Sequence, residues 1–249
     1  MHKTIGLIAG TGFYDLPAIK HGVNRKVTNE YGEVNLTIGE WDSFPIVFIA
    51  RHGVGHTIPP HRINYRANIR ALKDSGVAAV IAINVVGAID PVIKPGDLSL
   101  INDFIDFTSG REHTFFDGLS EDGVQHVDVS TPYDPRLQEK LKQSAESQNI
   151  PLHLNGVYAG FNGPRFETPA EIRFAALGGA TVVGMTGCPE VSLAKELKLP
   201  YASIALSVNP AAGLSEGEIT MEDINAALHL GKGRTLQVIA GALPLLSKL

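Results

Sequence analysis

Apolar residues occur along this chain in short bursts cut by glycine, proline and charge, and the bursts are of two kinds. Thr4 to Ala9, Pro45 to Ala50, Ala78 to Ile83, Thr181 to Met185 and Tyr201 to Val208 are mostly apolar, partly β-branched runs, and Leu152 to Tyr158 reads as a further strand. Such runs suit strands buried on both faces. Other segments repeat apolar residues at helical spacing: Asn64 to Ser75, Pro169 to Leu177 behind an N-cap at Thr168 or a neighbour, Pro189 to Leu197, and Met221 to about Leu246. Pro135 to Asn149 reads as an exposed helix with Lys and Glu spaced for surface ion pairs. Residues 20 to 45 suit antiparallel strands around turns at Tyr31-Gly32 and at Trp41 to Phe44, and Leu98 to Phe107 an irregular strand. Residues 108 to 135 form a long loop rich in Asp, His and Gly. Strand alternating with helix predicts an α/β fold, and residues 1 to 249 fit a single domain.

The polar residues at the ends of the strands carry the candidate chemistry. Thr181 to Ala211 reads as a β-α-β unit whose strands lie in a parallel sheet. Its first strand would deliver Thr186 to a helix N-terminus, where free N–H groups favour an anion, and its second would deliver Asn209 to the same edge. The first strand of the chain ends in Gly10-Thr11-Gly12. Asp15 replaces the third glycine of a dinucleotide fingerprint, so a phosphate-binding turn is the better reading. Pro45 to Ala50 ends in Arg51-His52-Gly53, with His56 close behind, offering a guanidinium fork for phosphate and imidazoles for proton transfer. Ala78 to Ile83 ends in Asn84-Val85-Val86-Gly87, where Asn84 equally suits a turn cap. Phe166 and Glu167 stand just before a helix start; core packing and a favourable dipole charge account for them as readily as ligand contact does. Residues 210 to 217 are small and flexible, as a lid would be.

Composition narrows the partners. Apolar residues make up 44% of the 249 and charged residues 19%, ordinary for a globular domain, and the net charge of −5 argues against a nucleic-acid surface. The single cysteine, Cys188, excludes an internal disulfide and suits packing as a small apolar residue rather than acting as a nucleophile. The start MHKTIGLIAG shows no signal-peptide pattern, which points to the cytoplasm, and no apolar run is long enough for a membrane span.

With these residues located, the chain resembles the trimeric purine nucleoside phosphorylases and their methylthioadenosine phosphorylase branch from end to end. GTG near the start, ARHGVGHTIPPHRINYRANI, GPRFETPAE, and GMTGCPEVSLAKE followed by YASIA occur in the family's order and spacing. The resemblance implies a mixed β-sheet flanked by helices, a homotrimer, and attack of phosphate on the anomeric carbon of a purine nucleoside, with no metal or organic cofactor. It implies that Thr11, Arg51, His52, Asn84, Val85 and Thr186 hold phosphate, Val85 through its backbone. Met185 would lie against sugar and base, Phe166 would pack on the purine, and His126 would reach a neighbouring subunit's nucleoside. Asn209, Thr186 and His52 are the expected catalytic groups.

Four positions depart from the methylthioadenosine branch or from the users of ordinary ribosides. Asn209 and Ala211 replace a pair of aspartates, and Glu167 replaces a small serine. An amide can donate to a purine O6 and accept from a protonated N7, and a carboxylate accepts from the N1–H of an oxopurine but would face the N1 lone pair of adenine. At the sugar end Met221, with Ile224 nearby, stands where riboside users have a histidine for the 5'-hydroxyl; a thioether suits a methylthio group. The two ends together imply S-methyl-5'-thioinosine as substrate, with methylthioadenosine or general oxopurine nucleosides as the competing expectations. A purine-binding module without catalysis is the expectation from outside the enzymes.

Overall fold

The computed structural model describes residues 2–248 apart from 15, 17, 54 and 120–122, so the Asp15 position lies outside the described residues. In chain order the elements are β1 (Ile5–Ala9), β2 (Lys20–Asn29), β3 (Gly32–Trp41), β4 (Phe44–Ala50), α1 (Tyr65–Asp74), β5 (Ala79–Ala88) and β6 (Leu98–Asp106). There follow α2 (Pro135–Ser147), β7 (Leu152–Gly160), α3 (Pro169–Leu177), β8 (Val182–Gly184), α4 (Glu190–Glu196), β9 (Tyr201–Pro210) and α5 (Met221–Leu246). The strands make one mixed sheet in the order β2-β3-β4-β1-β5-β8-β7-β6-β9. Because β9 also pairs with β5, the second half of that sheet closes into a ring.

Alternation along β5 shows how the sheet is sandwiched. Val80 and Ala82 face one core with Ile69 and Leu72 of α1 and Val191 and Leu193 of α4. Ala79, Ile81 and Ile83 face the other, with Leu137 and Leu141 of α2 and Val238 and Ile239 of α5. A third cluster seats α3, through Ile172 and Ala175, against Val183 and Ala211. The start of α3 is secured by a capping box between Thr168 and Glu171, as the N-cap expectation required.

The register of β5 creates the site. On one side it pairs with β1 only as far as Ala82 and with β8 only from Gly87 onward, so its edge between them is open where β1 and β4 end. A crevice outside strand ends, where neighbours diverge, is where α/β sheets bind ligands.

Four expectations need correcting. β8 is antiparallel to β5 whereas β9 is parallel to it, so the two strands of the expected parallel β-α-β unit run in opposite directions. β8 is also only three residues long. It stops at Gly184, where a Cβ would lie 2.5 Å from the Tyr158 hydroxyl. The strand expected to stop at Ile83 continues to Ala88, which puts Asn84 in mid-strand and removes the turn-cap alternative. The helix expected to be exposed, α2, buries Leu137, Leu141, Ser144 and Ala145, and Ser144 Oγ donates to the Val238 carbonyl of α5 at 2.7 Å. Pro189 is the N-cap of α4 and lies outside its first turn.

Candidate active site

A cavity of about 330 Å³ opens at the gap in β5. Its wall includes Thr11, Arg51, His52, Val85, Phe166, Glu167, Met185, Thr186, Asn209 and Met221, residues drawn from seven separate stretches of chain. Of the expected site residues three are not on that wall. Asn84 lies behind Thr186; Ala211 is buried in the third core cluster; His126 is exposed in the long loop.

At the inner end, Arg51 sits just past β4 with its guanidinium fully inside the protein. Nε donates to Glu190 Oε2 and Nη2 to Glu190 Oε1, both at 2.8 Å, and Nη1 donates to the Ile83 carbonyl at 3.2 Å. The fork expected to clasp phosphate in a bidentate manner is therefore occupied by a protein carboxylate. Three of its five N–H hydrogens are engaged, so what Arg51 can offer the cavity is one hydrogen on Nη1 and one on Nη2. Tyr201 completes the cluster by donating to Glu190 Oε1 at 2.6 Å. Glu190 and Tyr201 had been assigned no site role on sequence; a carboxylate opening a helix looks like ordinary dipole complementation.

Thr186 reaches the cavity by a different device from the one expected. Its backbone N–H and that of Gly187 both donate to the Tyr158 hydroxyl at 3.0 Å, so they are not free for an anion. The side chain is the available group. Ser203 Oγ donates to Asn84 Oδ1 at 2.8 Å, and Asn84 Nδ2 donates to Thr186 Oγ1 at 3.1 Å. With its oxygen already accepting, Thr186 keeps its hydroxyl hydrogen for an acceptor in the cavity. Asn84 thus serves the site by orienting Thr186.

His52 faces the same end. Its Nδ1 lies 2.8 Å from the Ile58 carbonyl, and because a carbonyl only accepts, Nδ1 carries the proton and Nε2 presents a lone pair. Burial, with the Arg51 and His56 charges adding to it, pushes the imidazole down to about 4, so it is neutral at pH 7. His56 stacks on it with ring centroids 4.3 Å apart, and its own Nδ1 is hydrogen-bonded to the Tyr14 hydroxyl. A Cβ on Gly10 would lie 2.9 Å from His52 Cδ2, which explains a glycine before Thr11.

The outer end is differently equipped. Glu167 is only 7% exposed, and among the described residues no other residue hydrogen-bonds its carboxylate. Burial raises its pKa above the ordinary carboxylate value. Asn209 Nδ2 donates to the Pro210 carbonyl at 2.7 Å, which fixes the amide orientation and leaves Oδ1 and one N–H for a ligand. Phe166 is 43% exposed and Met221 62% exposed, both on the cavity wall. Arg111, which carried no sequence signal beyond its place in the long loop, staples this end together. Its Nη2 donates to the carbonyls of Phe161, Asn162 and Met185 at 3.2, 3.0 and 2.8 Å. Cys188 is fully buried and burial raises its thiol pKa, so it packs as an inert apolar residue.

Known proteins resemble the chain over nearly its whole length. Residues 4–244 match the phosphorylase superfamily. The chain is 42% identical over 248 residues, 98% of its length and 93% of the relative's, to a 6-oxopurine nucleoside phosphorylase from Pyrococcus furiosus. It is 43% identical over 240 residues, 95% of its length and 97% of the relative's, to a probable S-methyl-5'-thioinosine phosphorylase from Pseudomonas syringae. A methylthioadenosine phosphorylase structure from Schistosoma mansoni in complex with adenine superposes with a TM-score of 0.93 at 32% identity, covering 99% of this chain and 93% of that one. The chain belongs to the phosphorylase superfamily and is an enzyme of its purine nucleoside phosphorylase group. Among the described residues no helix is long and apolar enough to cross a membrane.

Proposed function

We propose that the chain cleaves S-methyl-5'-thioinosine with phosphate, giving hypoxanthine and S-methyl-5-thioribose 1-phosphate. A phosphate oxygen attacks the anomeric carbon, the bond from that carbon to purine N9 breaks, and its electron pair passes to the base, which takes up a proton from solvent at N7. The phosphate lies at the inner end, where Thr186 and the Arg51 Nη1 donate to it and His52 Nε2 accepts from its protonated oxygen. Thr11 and the backbone of Val85 complete that shell. Negative charge building on the leaving base is met by Asn209, whose Oδ1 accepts from N7–H while its free N–H donates to O6.

The observation that carries this reading is the largely buried carboxylate of Glu167, which among the described residues is hydrogen-bonded by its own backbone alone, on the wall shared with Asn209. A desolvated acceptor requires a donor, and the N1–H of an oxopurine supplies one where adenine N1 does not. Met221 and Ile224 supply apolar atoms at the other end for the methylthio group. Phe166 packs on the purine face and Met185 under the sugar. The assembly in this reading is a homotrimer, in which His126 meets a neighbour's nucleoside. Phosphate acts as co-substrate and no metal or organic cofactor takes part.

The exposure of Met221 favours a second reading, a general 6-oxopurine nucleoside phosphorylase, since an open sugar end also admits water and a 5'-hydroxyl. The test is phosphate-dependent kcat/KM for S-methyl-5'-thioinosine, methylthioadenosine and inosine. Preference for the first is expected. Equal use of inosine selects the second reading, and preference for methylthioadenosine overturns the base assignment.

A further inference from the structure

We infer that Glu190, held by Tyr201, is a positioning residue for phosphorolysis: it occupies the Arg51 fork and cancels its charge, so that phosphate is held by hydrogen bonds in an electrically balanced pocket. The inference rests on the assignment of the inner end of the cavity to phosphate.

The geometry is unusual for an anion site. Arg51 is the only lysine or arginine among the described residues of the cavity wall. Its side chain is 1% exposed and that of its partner Glu190 0%, with both fork nitrogens on the carboxylate. The carboxylate is itself locked, because Tyr201 donates to Oε1. Two other cations lie close but belong elsewhere. Lys232 Nζ donates to the Gly12 carbonyl at 2.6 Å and lies over the Phe13 ring, and Arg111 donates to backbone carbonyls. His52, neutral by its tautomer and burial, adds no charge. Apart from the His56 imidazole stacked on His52, the described residues of the cavity wall at this end therefore carry no uncompensated positive charge.

Such a pocket favours the transition state over the bound reactants. A free fork would clasp phosphate as tightly before reaction as during it, and uniform binding of that kind does not speed the chemical step. With the guanidinium charge already balanced by Glu190, the phosphate keeps its negative charge largely unneutralised. As the glycosidic bond stretches and the sugar becomes cationic, that charge attracts the sugar more strongly, so the stabilisation grows along the reaction. Glu190 also fixes the guanidinium plane, so that the hydrogens left on Nη1 and Nη2 point in fixed directions.

The sign of the effect on phosphate distinguishes this role from scaffolding. Glu190→Gln removes the negative charge and retains the shape, leaving phosphate as the natural counter-ion of Arg51. The phosphate KM is expected to fall by about tenfold and kcat to fall by a similar factor, with the nucleoside KM little changed. The thermal midpoint gained on adding inorganic phosphate should be larger for this variant than for the wild type. Glu190→Asp keeps the charge and shortens the reach; kcat should fall with no decrease in phosphate KM. A higher phosphate KM or an equal or smaller thermal gain in Glu190→Gln overturns the inference, as does a Glu190→Gln protein that stays unfolded in phosphate. A lower phosphate KM in Glu190→Asp does the same. If the wild type shows neither phosphate-dependent turnover nor a phosphate-induced shift, the functional assignment itself fails, a separate outcome.

Discussion

The two ends of the cavity are built in opposite ways. At the inner end Arg51 is already held by Glu190 and the Ile83 carbonyl, Thr186 by Asn84, and His52 by the Ile58 carbonyl. At the outer end no other described residue hydrogen-bonds the Glu167 carboxylate, Asn209 is half engaged, and Phe166 and Met221 stand open. A co-substrate common to the whole reaction class is served by a preorganised shell, which costs little reorganisation when the reaction occurs. The variable part of the nucleoside meets groups whose hydrogen-bonding capacity only the right ligand satisfies. Substitutions at the inner end should therefore disturb folding and catalysis together, and those at the outer end should redistribute preference among substrates.

The largest effect is expected from Arg51→Ala. The change deletes one member of a fully buried ion pair and strands Glu190 with only Tyr201, a situation that typically costs about 3–5 kcal/mol. Urea unfolding should register a loss of that order, and the phosphate KM should rise more than the nucleoside KM among molecules that remain folded. A loss under about 1 kcal/mol would show that the pair is solvated in solution and would erase the contrast between the two ends.

At the outer end the strongest test exchanges base preference. Glu167→Ser with Asn209→Asp and Ala211→Asp should shift the kcat/KM ratio from S-methyl-5'-thioinosine towards methylthioadenosine by roughly 10² to 10⁴, since an acceptor left facing an acceptor costs about 1–3 kcal/mol at each contact. The first two changes should carry most of this. Ala211 is buried and its Cα lies 3.4 Å from where a Cβ on Gly87 would stand, so an aspartate there must find room before it can help. An unchanged ratio with normal folding would remove Glu167 and Asn209 from the base contacts.

The contrast also follows what the sequence makes legible. Local signals carried well: the limits of α5, the Thr168 cap, and the placing of Arg51, Thr186 and Asn209 around one crevice all rest on patterns within a few residues. The error in strand direction is of another kind, because an apolar run states that a strand is buried without saying which neighbour it pairs with. The partners of Arg51 and Asn84 were hidden for the same reason. Glu190 is 139 residues from Arg51, and Ser203 is 119 from Asn84. Tyr158 shows the cost of reading a helix start alone: its hydroxyl takes the N–H groups that appeared ready for an anion. Arg111 lies in a loop without periodicity, and its binding to four backbone carbonyls leaves no side-chain pattern to detect.

The smallest effect, and the finest probe of the sugar end, is expected from Met221→His. Met221 opens α5, and Thr220 caps that helix by accepting from the Asp223 N–H, a bond the substitution does not touch. The side chain is 62% exposed, so the larger ring need displace no core atoms. A helix N-terminus disfavours a cation, which keeps the imidazole neutral near pH 7 and able to meet a 5'-hydroxyl. One added hydrogen bond to a neutral partner contributes about 1 kcal/mol, so kcat/KM for inosine relative to S-methyl-5'-thioinosine should rise by roughly fivefold. Base preference should stay as it was, because Met221 and Glu167 bear on different parts of the nucleoside and distant sites add. If the inosine ratio is unmoved while the base preference changes, Met221 does not bear on the sugar, and the methylthio part of the substrate assignment falls with it.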